Sequence, residues 1–165
     1  MMPPTDIVLA AQASARKWAV PASVTLAQWA LESGWGEFWA GCRNTPPVQS
    51  FNYFGIKAEA GQPSVLMWTH EVVDEKMVSV QAPFRVYANA GDAFDDHGRL
   101  LATNPRYDAA MCHTDDPDAF AQALTGWYAT DPHYGDKLCA IMHGSANLVQ
   151  YDAPPPLPPA IAQAA

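Results

Sequence analysis

The sequence predicts an α+β domain, mainly helical with a small antiparallel β-hairpin, and three observations carry that prediction. Apolar residues recur at helical spacing through most of the chain. One central stretch, 65–80, is instead dense in Val, Met, Trp and Thr and reads as paired strands. The length of 165 residues suits one domain, and 49% apolar against 16% charged residues provides the core that a disordered chain lacks.

In chain order, Asp6 to Ala19 places Ile7, Leu9, Ala10, Ala13 and Trp18 near one helical face, and Val20-Pro21 closes it. Ser23 is expected to cap a second helix, with Val24, Ala27 and Leu31 on one face and Gly34-Trp35-Gly36 as its left-handed stop. Residues 41–64 are rich in Pro, Gly, Asn and Ser but carry Phe51, Tyr53, Phe54 and Ile56, which predicts a packed loop. Val65–Val73 and Met77–Val80 read as strands joined across Asp74-Glu75, with Phe84–Tyr87 as a third short strand. Alternation puts Met67, Thr69, Glu71 and Val73 on one face of the first strand, and Leu66, Trp68, His70 and Val72 on the other. Gly91–Asn104, Pro117–Tyr128 and Asp131–Ala146 have helical patterning, with Asp116-Pro117 as a cap and first-turn proline. Residues 1–151 are expected to form one domain. The tail, 152–165, contains the run Pro154-Pro155-Pro156-Leu157-Pro158-Pro159 and reads as an extended appendage.

Nine basic and seventeen acidic residues give a net charge of −8, which argues against a nucleic-acid partner held through its phosphates. The apolar run Ile7–Ala11 is far below the roughly 20 residues that span a bilayer, so no membrane insertion is expected. Arg16 and Lys17 follow that run instead of preceding it, so an ordinary signal peptide is not expected either. Three cysteines, Cys42, Cys112 and Cys139, allow at most one bridge. Cys139 and His143 lie four apart, but no paired-cysteine zinc spacing occurs. Neither metal nor cofactor is expected, and Cys139 reads as a buried free thiol beside Leu138 and Met142.

Glu32 is the carboxylate in an unusual place. It falls in the last turn of the second helix, where the macrodipole disfavours negative charge by a few tenths to about 1 kcal/mol. Trp29 and Trp35 are placed to give it an apolar wall, which raises a carboxyl pKa and keeps the acid protonated for proton donation. Position alone does not decide this, because most glutamates at helix ends are surface residues.

Wider context does. Ala30-Leu31-Glu32-Ser33-Gly34-Trp35-Gly36 resembles the active-site helix of the family 73 glycoside hydrolases, bacterial β-N-acetylglucosaminidases that cut peptidoglycan. Asn52-Tyr53-Phe54-Gly55-Ile56-Lys57-Ala58 is similar to the loop after that helix, and Phe84-Arg85-Val86-Tyr87 to the strand closing its β-lobe. Asn104-Pro105-Arg106-Tyr107 and the segment from Tyr128 to Tyr134 complete an ordered set.

The resemblance implies a lysozyme-like fold, a helical lobe and a β-hairpin lobe flanking a glycan groove. It implies Glu32 as the general acid, Glu71 as the second carboxylate and Tyr128 as the tyrosine lining the cleavage site. Trp35, Asn52, Tyr53, Trp68 and Tyr134 are the expected substrate-binding residues, the aromatic ones because rings stack on the apolar faces of sugars. The expected partner is the peptidoglycan glycan strand, met by a monomer at the cell wall after a non-classical route out of the cytoplasm. An immunity or delivery protein is added if the chain is a secreted toxin. A lytic transglycosylase on the same scaffold, which needs one catalytic carboxyl, and a non-catalytic glycan-binding module are the competing readings.

Overall fold

The computed structural model describes residues 1–73 and 76–152, with the side chains of 71–73 outside that description. The described helices are α1 (Thr5–Trp18), α2 (Ala22–Ser33), α3 (Ala90–Thr103), α4 (Asp108–Met111), α5 (Pro117–Ala123) and α6 (Tyr134–Met142). Between α2 and α3 lie the strands β1 (Ser64–Val73) and β2 (Lys76–Arg85), and 3-10 turns occur at Pro105–Tyr107 and Leu148–Tyr151.

The core forms around α2, because ten of its twelve residues are buried. A helix buried on nearly every face belongs in the middle of a bundle, and the polar Ser23, Thr25, Gln28 and Ser33 are buried with it. It packs on α1, α5, α6 and the Leu148–Tyr151 turn, and Leu26 and Trp29 meet Leu124, Leu138, Met142 and Leu148 in one continuous core. On the opposite side α1 lies against α3 at close range. Gly98 makes this approach possible, since a Cβ there would sit 2.2 Å from the Ser14 hydroxyl and 2.8 Å from the Trp18 ring. Asn89 caps α3 by accepting the Asp92 N–H, and Asp116 caps α5 by accepting that of Ala119.

Ser23, however, is not the cap of α2. Pro21 holds the N-cap position, and Ser23 is already inside the first turn and buried. Its freed N–H finds the carboxylate of Asp152, 129 residues away, at 2.8 Å. The Gln12 amide bonds the Tyr151 carbonyl and holds the same segment against α1. Asp152, placed by composition in the tail, thus closes the first turn of the central helix. Replacing it by Ala is expected to lower stability by roughly 0.5–2 kcal/mol, the usual range for a lost N-terminal cap. Urea unfolding measures this, and a chain ending at Tyr151 should match the Ala variant.

β1 and β2 pair antiparallel from Ser64↔Arg85 to Val73↔Lys76. The expected alternation is present: Val65, Met67 and Thr69 turn inward, while Leu66, Trp68 and His70 are exposed. No third strand forms among the described residues. Phe84 and Arg85 end β2, and Val86 and Tyr87 leave the ladder to donate their N–H groups to Pro63 O and Ser50 O. The base of the hairpin is tied to α3 through Asp96, which accepts from Arg85 Nη1 at 2.9 Å, from Tyr87 Oη at 2.7 Å and from Arg99.

Two predicted helices are shorter in the structure. α5 stops at Ala123, because Gly126 turns left-handed at φ 79° and donates to Ala129 O. α6 begins only at Tyr134, since the Asp131 carboxylate takes the His133 N–H in a turn ahead of it. Cys139 proves half-buried, its sulfur accepting from Gln122 at 3.7 Å, and all three cysteines are free thiols. No helix among the described residues is long and apolar enough to cross a membrane.

Candidate active site

The site is built from the end of α2. Gly34, Trp35 and Gly36 all take left-handed backbone conformations, with φ of 58°, 62° and 87°. Such a conformation is unfavourable for a bulky residue, so Trp35 holds it only with support from its neighbours. Gly36 is needed twice over, because a Cβ there would lie 2.8 Å from the Trp29 ring. The Ser33 hydroxyl gives its proton to Trp29 O and accepts the Gly36 N–H, which locks the stop. Trp29, buried, is the post on which Trp35 and Tyr53 both rest edge-on, at ring-centroid distances of 6.0 and 6.4 Å.

This stop leaves Glu32 on the wall of an open cavity of about 270 Å³, which Phe38, Arg43, Tyr53, Met67 and Phe84 also line. The cavity separates the helical body from the inward face of the hairpin. Two larger hollows lie away from it, one of about 450 Å³ beside Val20 and Tyr151 and one of about 580 Å³ around Arg85 and Arg99. Chemistry, not size, singles out the smaller one. Glu32 is open to the cavity on one side, but the protein packed around the rest of its carboxyl raises its pKa above the usual carboxylate value. A hydrogen bond from Tyr134 Oη to Glu32 Oε1, 2.8 Å long, works in the opposite direction and is the weaker effect.

Tyr128 is half-buried and stacks on Tyr134 at 5.6 Å with an interplanar angle of 16°. Burial and then the nearby charge of Glu32 push its phenol well above the ordinary value, so it is a neutral donor. Its hydroxyl has no hydrogen-bond partner among the described residues. Tyr53 faces the cavity with Glu32. Trp35 is half-buried on Trp29.

The other expected residues lie differently. Asn52 lines the same cavity as Glu32 but is only 1% exposed, and its amide is engaged within the fold: Nδ2 donates to Ile56 O and Arg85 O, while Oδ1 accepts the Ile56 N–H. It braces the loop against the end of β2. Tyr134 is 3% exposed, so its ring offers no open face, and its hydroxyl serves Glu32 and Gln28. Trp68 is 69% exposed on the outer face of β1, opposite to Met67. Glu71 pairs with Val78 in the ladder, and its side chain lies outside the described residues.

Sequence reasoning missed three participants. Gln28 sits one turn before Glu32 on the same face of α2, a spacing that was open to view. Phe38 and Arg43 line the cavity, the guanidinium lying over the Phe38 ring at 4.9 Å. Their sequence signal was the aromatic pair Phe38-Trp39 and a cation in the loop just after the helix stop.

A carboxylic acid with a raised pKa, set in an aromatic cleft between a helical body and a hairpin, is an arrangement that suits glycosidic-bond chemistry. The chain belongs to the glucosaminidase family, whose model, described as mannosyl-glycoprotein endo-beta-N-acetylglucosaminidase, matches residues 8–147. It is 41% identical over 136 residues to the peptidoglycan hydrolase FlgJ of Escherichia coli (strain K12). That match covers 81% of this chain and 42% of the relative, so the chain spans well under half of that protein's length. Among solved structures, it matches the catalytic domain of the autolysin Auto from Listeria monocytogenes with a TM-score of 0.74 and 30% identity, covering 92% of this chain and 90% of the other. A peptidoglycan hydrolase mutant from Sphingomonas sp. A1 matches with a TM-score of 0.71 and 38% identity, over 87% and 92% of the two chains. The mixed α+β architecture, helices plus one two-stranded sheet, is the fold these relatives share.

Proposed function

We propose that the chain hydrolyses bacterial peptidoglycan, cutting the β-1,4 bond after N-acetylglucosamine with Glu32 as general acid. The observation that carries this is the environment of Glu32, a carboxyl whose pKa is raised by the protein packed around it and which faces an open cleft. In the reaction, the Glu32 proton passes to the glycosidic oxygen as the bond to the sugar's anomeric carbon breaks. The positive charge that develops on the sugar then needs support. Glu71 is proposed as the second carboxylate, acting as base for the attacking water or beside the substrate's own acetamido group. Tyr128, its hydroxyl unpartnered and within electrostatic reach of Glu32, is proposed to steady the acetamido group. Tyr53 and Trp35 are proposed to hold sugar rings, and the neighbouring Phe38–Arg43 pair supplies a cation in an otherwise acidic molecule. Action as a monomer is part of the same proposal. The catalytic unit is the domain expected over 1–151 together with Asp152, and its place of action is the cell wall.

Product analysis tests this reading. Purified protein acting on sacculi is expected to release fragments ending in reducible N-acetylglucosamine, which borohydride converts to the alditol. A transglycosylase adds no water, so 1,6-anhydromuramic ends as the main product would overturn the hydrolytic assignment. No fragments at all from folded protein would leave a glycan-binding module.

A further inference from the structure

Glu32 does not stand alone on the cleft wall. Its Oε1 accepts the Tyr134 hydroxyl proton at 2.8 Å, and the oxygen of that hydroxyl accepts an N–H of Gln28 at 3.1 Å. Gln28 is wholly buried and Tyr134 nearly so, which keeps water from competing for the bond between them. A phenol has one proton to donate. With the Gln28 N–H aimed at the Tyr134 oxygen, the phenol proton is sent to Glu32.

The fold accepts a cost to keep this direction. Gln28 Oε1 is buried without a hydrogen-bond partner among the described residues. Turning the amide over would satisfy that oxygen, but only by drawing the tyrosine proton away from Glu32. Tyr134 is also seated with little freedom. The N–H of its neighbour Gly135 donates to Thr125 Oγ1 at 3.0 Å, and a Cβ on Gly135 would lie 2.8 Å from Gln122 Cα and 2.9 Å from Ala121 O. The first turn of α6 is therefore pressed onto α5, and the phenol is delivered to one place on α2.

We propose that Tyr134 and Gln28 are positioning residues that reserve Glu32 Oε1 as a hydrogen-bond acceptor, so that the transferable proton resides on Oε2. This rests on Glu32 being the general acid. An oxygen already receiving a donor is the poorer site for a second proton, and Oε2 has no partner among the described residues. The acid proton is thus held on the oxygen free to meet substrate. The relay also sets when the proton is present, because a donor to Oε1 favours the carboxylate. The titratable and charged groups around Glu32 are Tyr134 from α6, Tyr128 from the loop before it, and Cys42, Arg43 and Tyr53 from the loop after α2. Tyr134 alone is hydrogen-bonded to it among the described residues.

The test is the pH profile of turnover for Tyr134→Phe, Gln28→Met and the double variant, with Glu32 followed directly by carbon NMR of its carboxyl. An acid must be protonated to act, so activity falls as pH rises through its pKa. Tyr134→Phe removes the donor and is expected to move that alkaline limb, and the NMR midpoint, up by about one pH unit. It should lower the maximal rate roughly tenfold. Gln28→Met should move both in the same direction by less, and should add nothing in the Tyr134→Phe background. An unmoved midpoint in both single variants overturns the proposal, whatever happens to rate. So does a Gln28→Met shift that persists undiminished in the double variant. If Tyr134→Phe does not fold, Gln28→Met decides by the same readout. Near wild-type turnover by folded Glu32→Gln would instead sink the functional reading and leave the hydrogen-bond geometry untouched.

Discussion

Glu32→Gln is expected to lower turnover of sacculi by at least ~10² to 10⁴, the range for loss of a general acid or base. The substitution keeps the volume and leaves an oxygen able to accept from Tyr134, so the relay to Gln28 can persist. Glu32 is open to the cleft and carries no packing that Gln cannot replace. Circular dichroism and melting temperature should therefore match the wild type while turnover collapses. Binding of glycan fragments should survive, since the lost proton is needed only as the bond breaks. A folded variant with near wild-type activity would show that another group donates the proton. The pH dependence of the wild type has a sign as well. Burial raises the Glu32 pKa, so the acid stays protonated, and the enzyme active, to higher pH than an ordinary carboxyl would allow.

What could be read from the sequence was what local chemistry decides. The α2 stop was legible because Gly34 and Gly36 are residues that a left-handed exit requires. The two faces of β1 were legible because a period of two needs no knowledge of the partner strand. That same alternation had already put Trp68 opposite Met67, and the structure sends Met67 to the cleft and Trp68 to solvent. A sugar-stacking role for Trp68 therefore has no support from the geometry of the cleft.

What was not legible depended on contacts between distant parts of the chain. Asn52 was expected at the site only through the resemblance. It also donates to two carbonyls, one of them 33 residues on, whose need for hydrogen bonds no local pattern reveals. Tyr134 looked like one more aromatic in a sugar site, and its hydroxyl is hydrogen-bonded to a glutamate 102 residues earlier. Phe84–Tyr87 has strand composition, but only half of it finds a strand to pair with. Ser23 was read as a cap because the carboxylate that accepts its N–H, that of Asp152, lies 129 residues away.

Acid is expected to unfold this domain through His97, a residue with no conspicuous sequence signal. His97 lies in α3, wholly buried, and neither ring nitrogen has a hydrogen-bond partner among the described residues. Its ring stacks on Phe54 at 4.0 Å and meets Tyr128 edge-on at 5.9 Å. A charge placed there would lose its hydration and gain little, so burial pulls the pKa down to about 3, with neighbouring Asp96 opposing only weakly. In the unfolded chain the same imidazole takes a proton near pH 6.5. Below that pH the unfolded state binds a proton that the folded state refuses, so stability falls as pH falls, down to the folded value of about 3. Each unit is worth up to about 1.4 kcal/mol, which makes the loss at pH 4.5 roughly 3 kcal/mol. Against a total of about 5–15 kcal/mol for a domain, that is a large share. His97→Phe keeps a flat ring against Phe54 and removes the titration. Urea unfolding at pH 7 and pH 4.5 should show the wild type losing roughly 3 kcal/mol more than the variant over this interval, with every carboxylate common to both. Parallel losses would mean that His97 finds a partner for its proton in the fold. Because Phe54 and Tyr128 both rest on this ring, the same acid limb should loosen the candidate site before global unfolding, seen as turnover declining at pH values where α-helical circular dichroism is still intact.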